Sequence, residues 1–122
     1  MQSSVIICSL AFILSACSPP LEKKLIGEWI TCSIDVCTIM ALNADRTFSD
    51  RFDEKDLRGD ICSGTWRVDG DQLVLHLTHA DKVLRDAVGK DVRFLISQFQ
   101  HARFVATSTE DSQRPVTWER RH

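Results

Sequence analysis

No tyrosine occurs in this chain, so every motif built on a phenol is missing. Nor is there an excess of charge of one sign. The formal net charge is -2, which leaves no strongly basic face and argues against nucleic acid as a partner. Gly-x-Ser-x-Gly, a P-loop and His-Glu-x-x-His are all missing, and with them the usual sequence signs of hydrolase, nucleotide and metalloprotease chemistry. Cys-x-x-Cys is missing as well, and no histidine lies near Cys32, Cys37 or Cys62 in sequence, so a zinc site is not expected. There is no repeat and no low-complexity segment, and the chain is the length of one ordinary domain. The expectation is a protein that is not an enzyme and carries no cofactor or metal.

The first sixteen residues lack Asp, Glu, Lys and Arg altogether. Val5 to Leu14 is an apolar run of signal-peptide length, followed by the small residues Ser15 and Ala16. It is too short to span a bilayer, which takes about 20 apolar residues. Immediately after it stands Cys17, then the polar stretch Ser18 to Lys24. The order Leu14-Ser15-Ala16-Cys17 resembles the lipobox of bacterial lipoproteins. That resemblance implies cleavage before Cys17, acylation of its thiol, and a tether over residues 17–24. Ser18 in place of Asp after the cysteine implies, in a Gram-negative member, anchoring to the outer membrane facing the periplasm. Several acyl chains on one residue anchor firmly, because each buried methylene contributes about 0.8 kcal/mol.

Three cysteines, Cys32, Cys37 and Cys62, remain after the leader and the lipidated residue are set aside. An odd number in an oxidising compartment gives one bridge and one thiol left over. Cys32 and Cys37 flank a four-residue loop between two expected strands and could face each other across them. Closing so short a loop contributes only about 2 kcal/mol, against roughly 3–4 kcal/mol for a bridge to Cys62. The expected pair is Cys32–Cys37, with Cys62 outside it or as the alternative partner.

The remainder reads as all-β. Strands are expected over 26–32, 37–43, 46–52, 62–68, 72–79, 91–99, 103–109 and 115–120, joined by turn sequences such as Asn43-Ala44-Asp45-Arg46 and Asp69-Gly70-Asp71. The clearest alternation sets Leu73, Leu75 and Leu77 against Val74, His76 and Thr78. Val92, Phe94 and Ile96 share a face in the same way. Residues 81–88 fit either a helical turn through Val83, Leu84, Ala87 and Val88 or a short strand. His76 and His79, three apart on one strand, are expected on opposite faces and so not as a metal pair. The charged loop around residues 53–61 is expected to be a solvated surface loop.

Eight short strands with short turns suit an antiparallel up-and-down barrel. The segments "LIGEW", "LNADRTF", "GTWRVDGDQLVL" and "TWER" resemble the small lipocalin-like domains of bacterial lipoproteins, and Gly27-Glu28-Trp29 is similar to the Gly-x-Trp of the lipocalin first strand. The resemblance implies a barrel domain over residues 25–122 in which an arginine from the last strand packs across that tryptophan. Val116, Trp118 and Arg120 share one face of the last strand, which assigns that role to Arg120 rather than Arg121. An interior just wide enough for side chains is expected of eight strands. In a meander the loops containing residues 33–36, 53–61, 80–90 and 110–114 fall at one end, here called the top. All three cysteines gather there, and the chain enters from the opposite end.

The functional expectation is a membrane-anchored lipoprotein with a non-catalytic binding or structural role. Two alternatives stand beside it. One is a carrier of a small apolar ligand in the barrel. The other is an inhibitor of a periplasmic or host enzyme through the top loops, although the tyrosine-containing motifs of lipoprotein lysozyme inhibitors are absent. Partners are the membrane, through the lipid, and a small apolar ligand or an envelope protein.

Replacing Cys17 tests the anchor. Cys17→Ser is expected to leave an unacylated precursor or to release the protein from membrane fractions. Identical partitioning of the mature chain with and without Cys17 would contradict the lipid anchor.

Overall fold

A computed structural model describes residues 20–53, 60–82, 84–110 and 114–121, with only the backbone of Asp60. The leader, Cys17, residues 54–59 of the charged loop and Val83 lie outside the described residues. One short helix, α1 (Leu21–Leu25), precedes eight strands: β1 (Gly27–Cys32), β2 (Cys37–Leu42), β3 (Thr47–Phe52), β4 (Asp60–Asp69), β5 (Gln72–Ala80), β6 (Asp91–Gln100), β7 (Arg103–Ser108) and β8 (Val116–Arg120). Each strand pairs antiparallel with the next, and β1 pairs with β8, so the sheet is a closed up-and-down barrel. Among the described residues no helix is long and apolar enough to cross a membrane.

Alternation decides the interior. Trp29, Met40, Leu42, Phe48, Trp66, Leu73, Leu75, Leu77, Phe104 and Ala106 point inward and are buried in one cluster. Burying a large apolar side chain of this kind contributes roughly 1.5–3 kcal/mol. Some outward residues are buried too. Val74 lies between Arg67 and Arg93 on the neighbouring strands, and Ile39 between Ile30 and Arg51; both are fully buried. The aliphatic stems of the arginines cover apolar surface while their charged heads pair on the outer surface. Arg67 meets Asp91, Arg93 meets Asp69, and Arg51 meets Glu28.

Two expectations change and one open alternative is decided. Residues 18–24 were expected to be tether, but Leu21–Leu25 is helical and Leu25 is fully buried. The apolar pair Leu21 and Leu25 supplies the reason, since both pack on the barrel core. In the ambiguous segment after β5 the helical option holds in a shorter form, a 3-10 turn at Arg85–Ala87, and the following residues cover the edge of β5, with Leu77 N donating to Lys90 O and Gly89 N to Leu77 O. Third, His76 and His79 do not alternate. Gly64 pairs with Leu77 while Ser63 pairs with His79, so Thr78 is an extra residue and His79 returns to the outer face that carries His76.

A second bulge works the same way in β6. Ser97 pairs with Val105 and Gln100 with Arg103, and Gln98 takes a positive φ of 51°. Strict alternation from Ile96 would turn Phe99 outward. The extra residue turns it inward instead, where its ring lies 5.8 Å from Trp29 and 5.7 Å from Phe104.

The bulge in β5 depends on Gly64. A Cβ there would stand 1.9 Å from the His76 carbonyl oxygen and 3.0 Å from Thr78 N, both backbone atoms that cannot swing aside. Gly64→Ala is therefore expected to lower stability by about 3 kcal/mol in denaturant unfolding. Gly70→Ala, at φ +67° with open space around it, should cost about 1 kcal/mol. Equal effects would contradict the close approach.

Candidate functional site

The lower end of the barrel is closed by a small set of residues whose geometry follows from the end of α1. A helix leaves its last carbonyls without intrahelical partners. Here Lys24 O accepts from Arg120 Nη2 at 2.9 Å, Ile26 O from Arg120 Nη1 at 3.1 Å, and Leu25 O from Trp29 Nε1 at 2.8 Å. The Arg120 guanidinium also lies 4.3 Å from the centre of the Trp29 ring. Trp29 is fully buried, with Phe104 edge-on at 4.7 Å and the Phe99 ring beyond it.

Gly27 completes this arrangement. Its φ is +137°, and a Cβ would fall 2.5 Å from Arg120 Nη1. A side chain at 27 and the guanidinium cannot occupy the same place, so the glycine two residues before the tryptophan makes room for the arginine. Arg121 points elsewhere. Its backbone N donates to Glu28 O and its Nη1 pairs with Glu28 Oε1 at 2.9 Å on the outer surface.

Trp118, on the same face as Arg120, stands one level higher. It is half-buried, opposite Phe104, and forms part of the wall of a cavity rather than of the closure. That cavity, about 260 Å³, occupies the upper barrel between Met40, Leu73, Leu75, Phe94, Ala106, Ser108, Val116 and Trp118, with Asp50 on one side and Arg114 at its mouth. Alternation carries Asp50 inward, because it pairs with inward-facing Met40. The chamber is mainly apolar with two charged groups, the usual make-up of a small-molecule site.

At the top, Cys32 and Cys37 are joined by a disulfide, and Cys62 is outside that bridge, buried and directed into the core. The bridge closes the loop Ser33–Val36, where Ser33 N donates to Val36 O at 2.8 Å. Ile34 at its tip is fully exposed.

On the outer face of β5 and β6, polar side chains pair with one another. His76 Nδ1 is 2.8 Å from Asp91 Oδ1, and Arg67 contacts the other oxygen at 3.1 Å. The hydrogen bond to His76, and then that to Arg67, hold the Asp91 carboxyl below the usual carboxylate range. His79 is 3.2 Å from Thr78 Oγ1 and separate from this pair. Among the described residues no cluster of three His, Cys, Asp or Glu side chains has the geometry of a metal site. Sequence reasoning did not single out Asp50 or Arg114. The inward phase of β3, readable from Phe48 and Phe52, was the available signal for Asp50. No family model matches the chain, and no curated protein matches its sequence.

Removing Arg120 leaves two helix-end carbonyls without their charged donor and uncovers the Trp29 ring. Arg120→Ala is expected to destabilise the barrel by about 2–4 kcal/mol, measured by urea unfolding. Arg121→Ala loses only an exposed ion pair and should cost less than about 1 kcal/mol. Equal losses would contradict the assignment of the closure to Arg120.

Proposed function

We propose that this chain is a lipid-anchored, non-catalytic binding protein whose upper barrel takes a small, mainly apolar ligand. The observation that carries this reading is the contrast between the two ends. Below, the interior is packed with large side chains. Above, about 260 Å³ of mostly apolar space opens toward the rim. That exceeds the ~150 Å³ apolar cavity known to hold benzene and approaches the 300 Å³ lower range of drug-sized sites. A ligand of one or two rings, or a short branched chain, suits this space. The anchor is part of the same proposal. The chain enters the barrel at its lower end through α1, so a lipid on Cys17 would leave the open end facing away from the membrane.

An inhibitor of an envelope or host enzyme is the second reading. Ile34 favours it, as a fully exposed apolar residue at the tip of a loop clamped by a disulfide. Such a tip loses little freedom on docking.

Naphthalene, a neutral bicyclic hydrocarbon, tests the first reading by titration calorimetry. Saturable binding is expected in the native chain. Ala106→Phe, which fills the chamber, should weaken it at least about ten-fold, while Thr107→Phe on the outer face of the same strand should leave it unchanged. Absence of saturable binding, or equal effects of the two substitutions, would overturn the reading.

A further inference from the structure

β1 and β8 pair over only two residue pairs, Trp29–Arg120 and Ile30–Glu119. Every other pair of neighbouring strands runs further. Antiparallel strands alternate between pairs that exchange hydrogen bonds and pairs that do not. Arg121 N donates to Glu28 O, so Glu28, Ile30 and Cys32 turn their backbone groups toward β8. On the other edge, Ser33 N donates to Val36 O, which fixes the opposite phase for the odd residues of β1. Cys32 and Thr117 are thus the next residues whose N–H and C=O groups face each other across the seam, and they are not paired. Two residues further along, Pro115 has no N–H to donate, so the ladder cannot resume.

The strands part above Ile30 and leave a surface groove of about 670 Å³ lined by β1, β8 and the bridged loop. The incompletely paired edge of β5 is covered by residues 89 and 90, as described above; this seam has no such cover among the described residues. Val116 on its lip is an exposed apolar side chain. Arg114 and Glu119 stand along the groove with opposite charges, and neither has an ion-pair partner among the described residues.

We propose that the β1–β8 seam is a docking slot for an extended polypeptide segment of another protein. The main chain of the incoming segment bonds the seam-facing backbone groups of Cys32 and Thr117, as in strand addition to a sheet edge. An apolar residue covers Val116, an acidic residue lies beside Arg114, and a basic one lies beside Glu119. This slot is on the side of the barrel and shares Arg114 and Val116 with the upper chamber.

The full chain in detergent, panned against phage-displayed linear octapeptides, tests the slot. Selected peptides are then synthesised and their binding followed by calorimetry and by amide hydrogen exchange. Bound peptide is expected to slow exchange at the Cys32 and Thr117 amides. Thr117→Pro removes a donor that is unpaired within the barrel and should weaken binding at least about ten-fold. If Thr117→Pro fails to fold, Val116→Arg serves as the blocking variant and should weaken binding to a similar degree. Failure to enrich any peptide over the blocked variant would overturn the proposal. So would bound peptides that leave both amides exchanging at the unbound rate.

Discussion

The Arg120 guanidinium lies between the Trp29 indole and the carbonyls of Lys24 and Ile26 at the end of α1, and the lower barrel is organised around that placement. A closed barrel has to join its first and last strands, yet here the ladder between them is short. The side chain at the end of β8 supplements that join by reaching under β1 to two backbone oxygens that would otherwise be left unsatisfied. Its position then dictates others. Gly27 has to lack a side chain, Trp29 has to aim its Nε1 at Leu25 O, and α1 has to end where it does. The helix in turn serves as a floor for the barrel. With the floor packed by Trp29, Phe99 and Phe104, whatever free space eight strands leave inside can only lie above it.

That division explains why the upper half differs in character. There the strands splay at one seam, Asp50 and Arg114 bring charge to an apolar chamber, and a disulfide clamps the upper end of the β1–β2 ladder. The arrangement places stability at one end and accessible surface at the other. It also sets two kinds of surface side by side, a mainly apolar chamber and a strand-lined groove, with Arg114 and Val116 bordering both.

Much of this was legible in the sequence because a barrel obeys a period of two. Leu73, Leu75 and Leu77 declare their inward face, and the order of turns places the cysteines together at the top. Arg120 could be chosen over Arg121 by phase alone. What escaped were the places where the period is broken. The bulges at Thr78 and Gln98 each insert one residue, which returns His79 to the face of His76 and turns Phe99 inward. Gly64 was a visible hint of the first, since a lone glycine inside a strand often marks close backbone approach. Nothing comparable marks Gln98. The helix at Leu21–Leu25 was read as tether because five residues are too few to show a helical period, and its stability comes from packing that sequence does not display. The chamber was hidden for a related reason. Whether a barrel is filled depends on how side chains from eight strands meet, not on any one strand.

The central claim is that a sealed lower core supports an upper chamber able to hold an apolar ligand. The most direct measurement is methyl-resolved NMR of the full chain in detergent during titration with naphthalene. The account predicts intermolecular contacts to the methyls of Met40, Leu73, Leu75 and Val116, with Leu25 and Leu42 unperturbed. Contacts to Leu25 or Leu42, or none to the upper set at saturation, would contradict it.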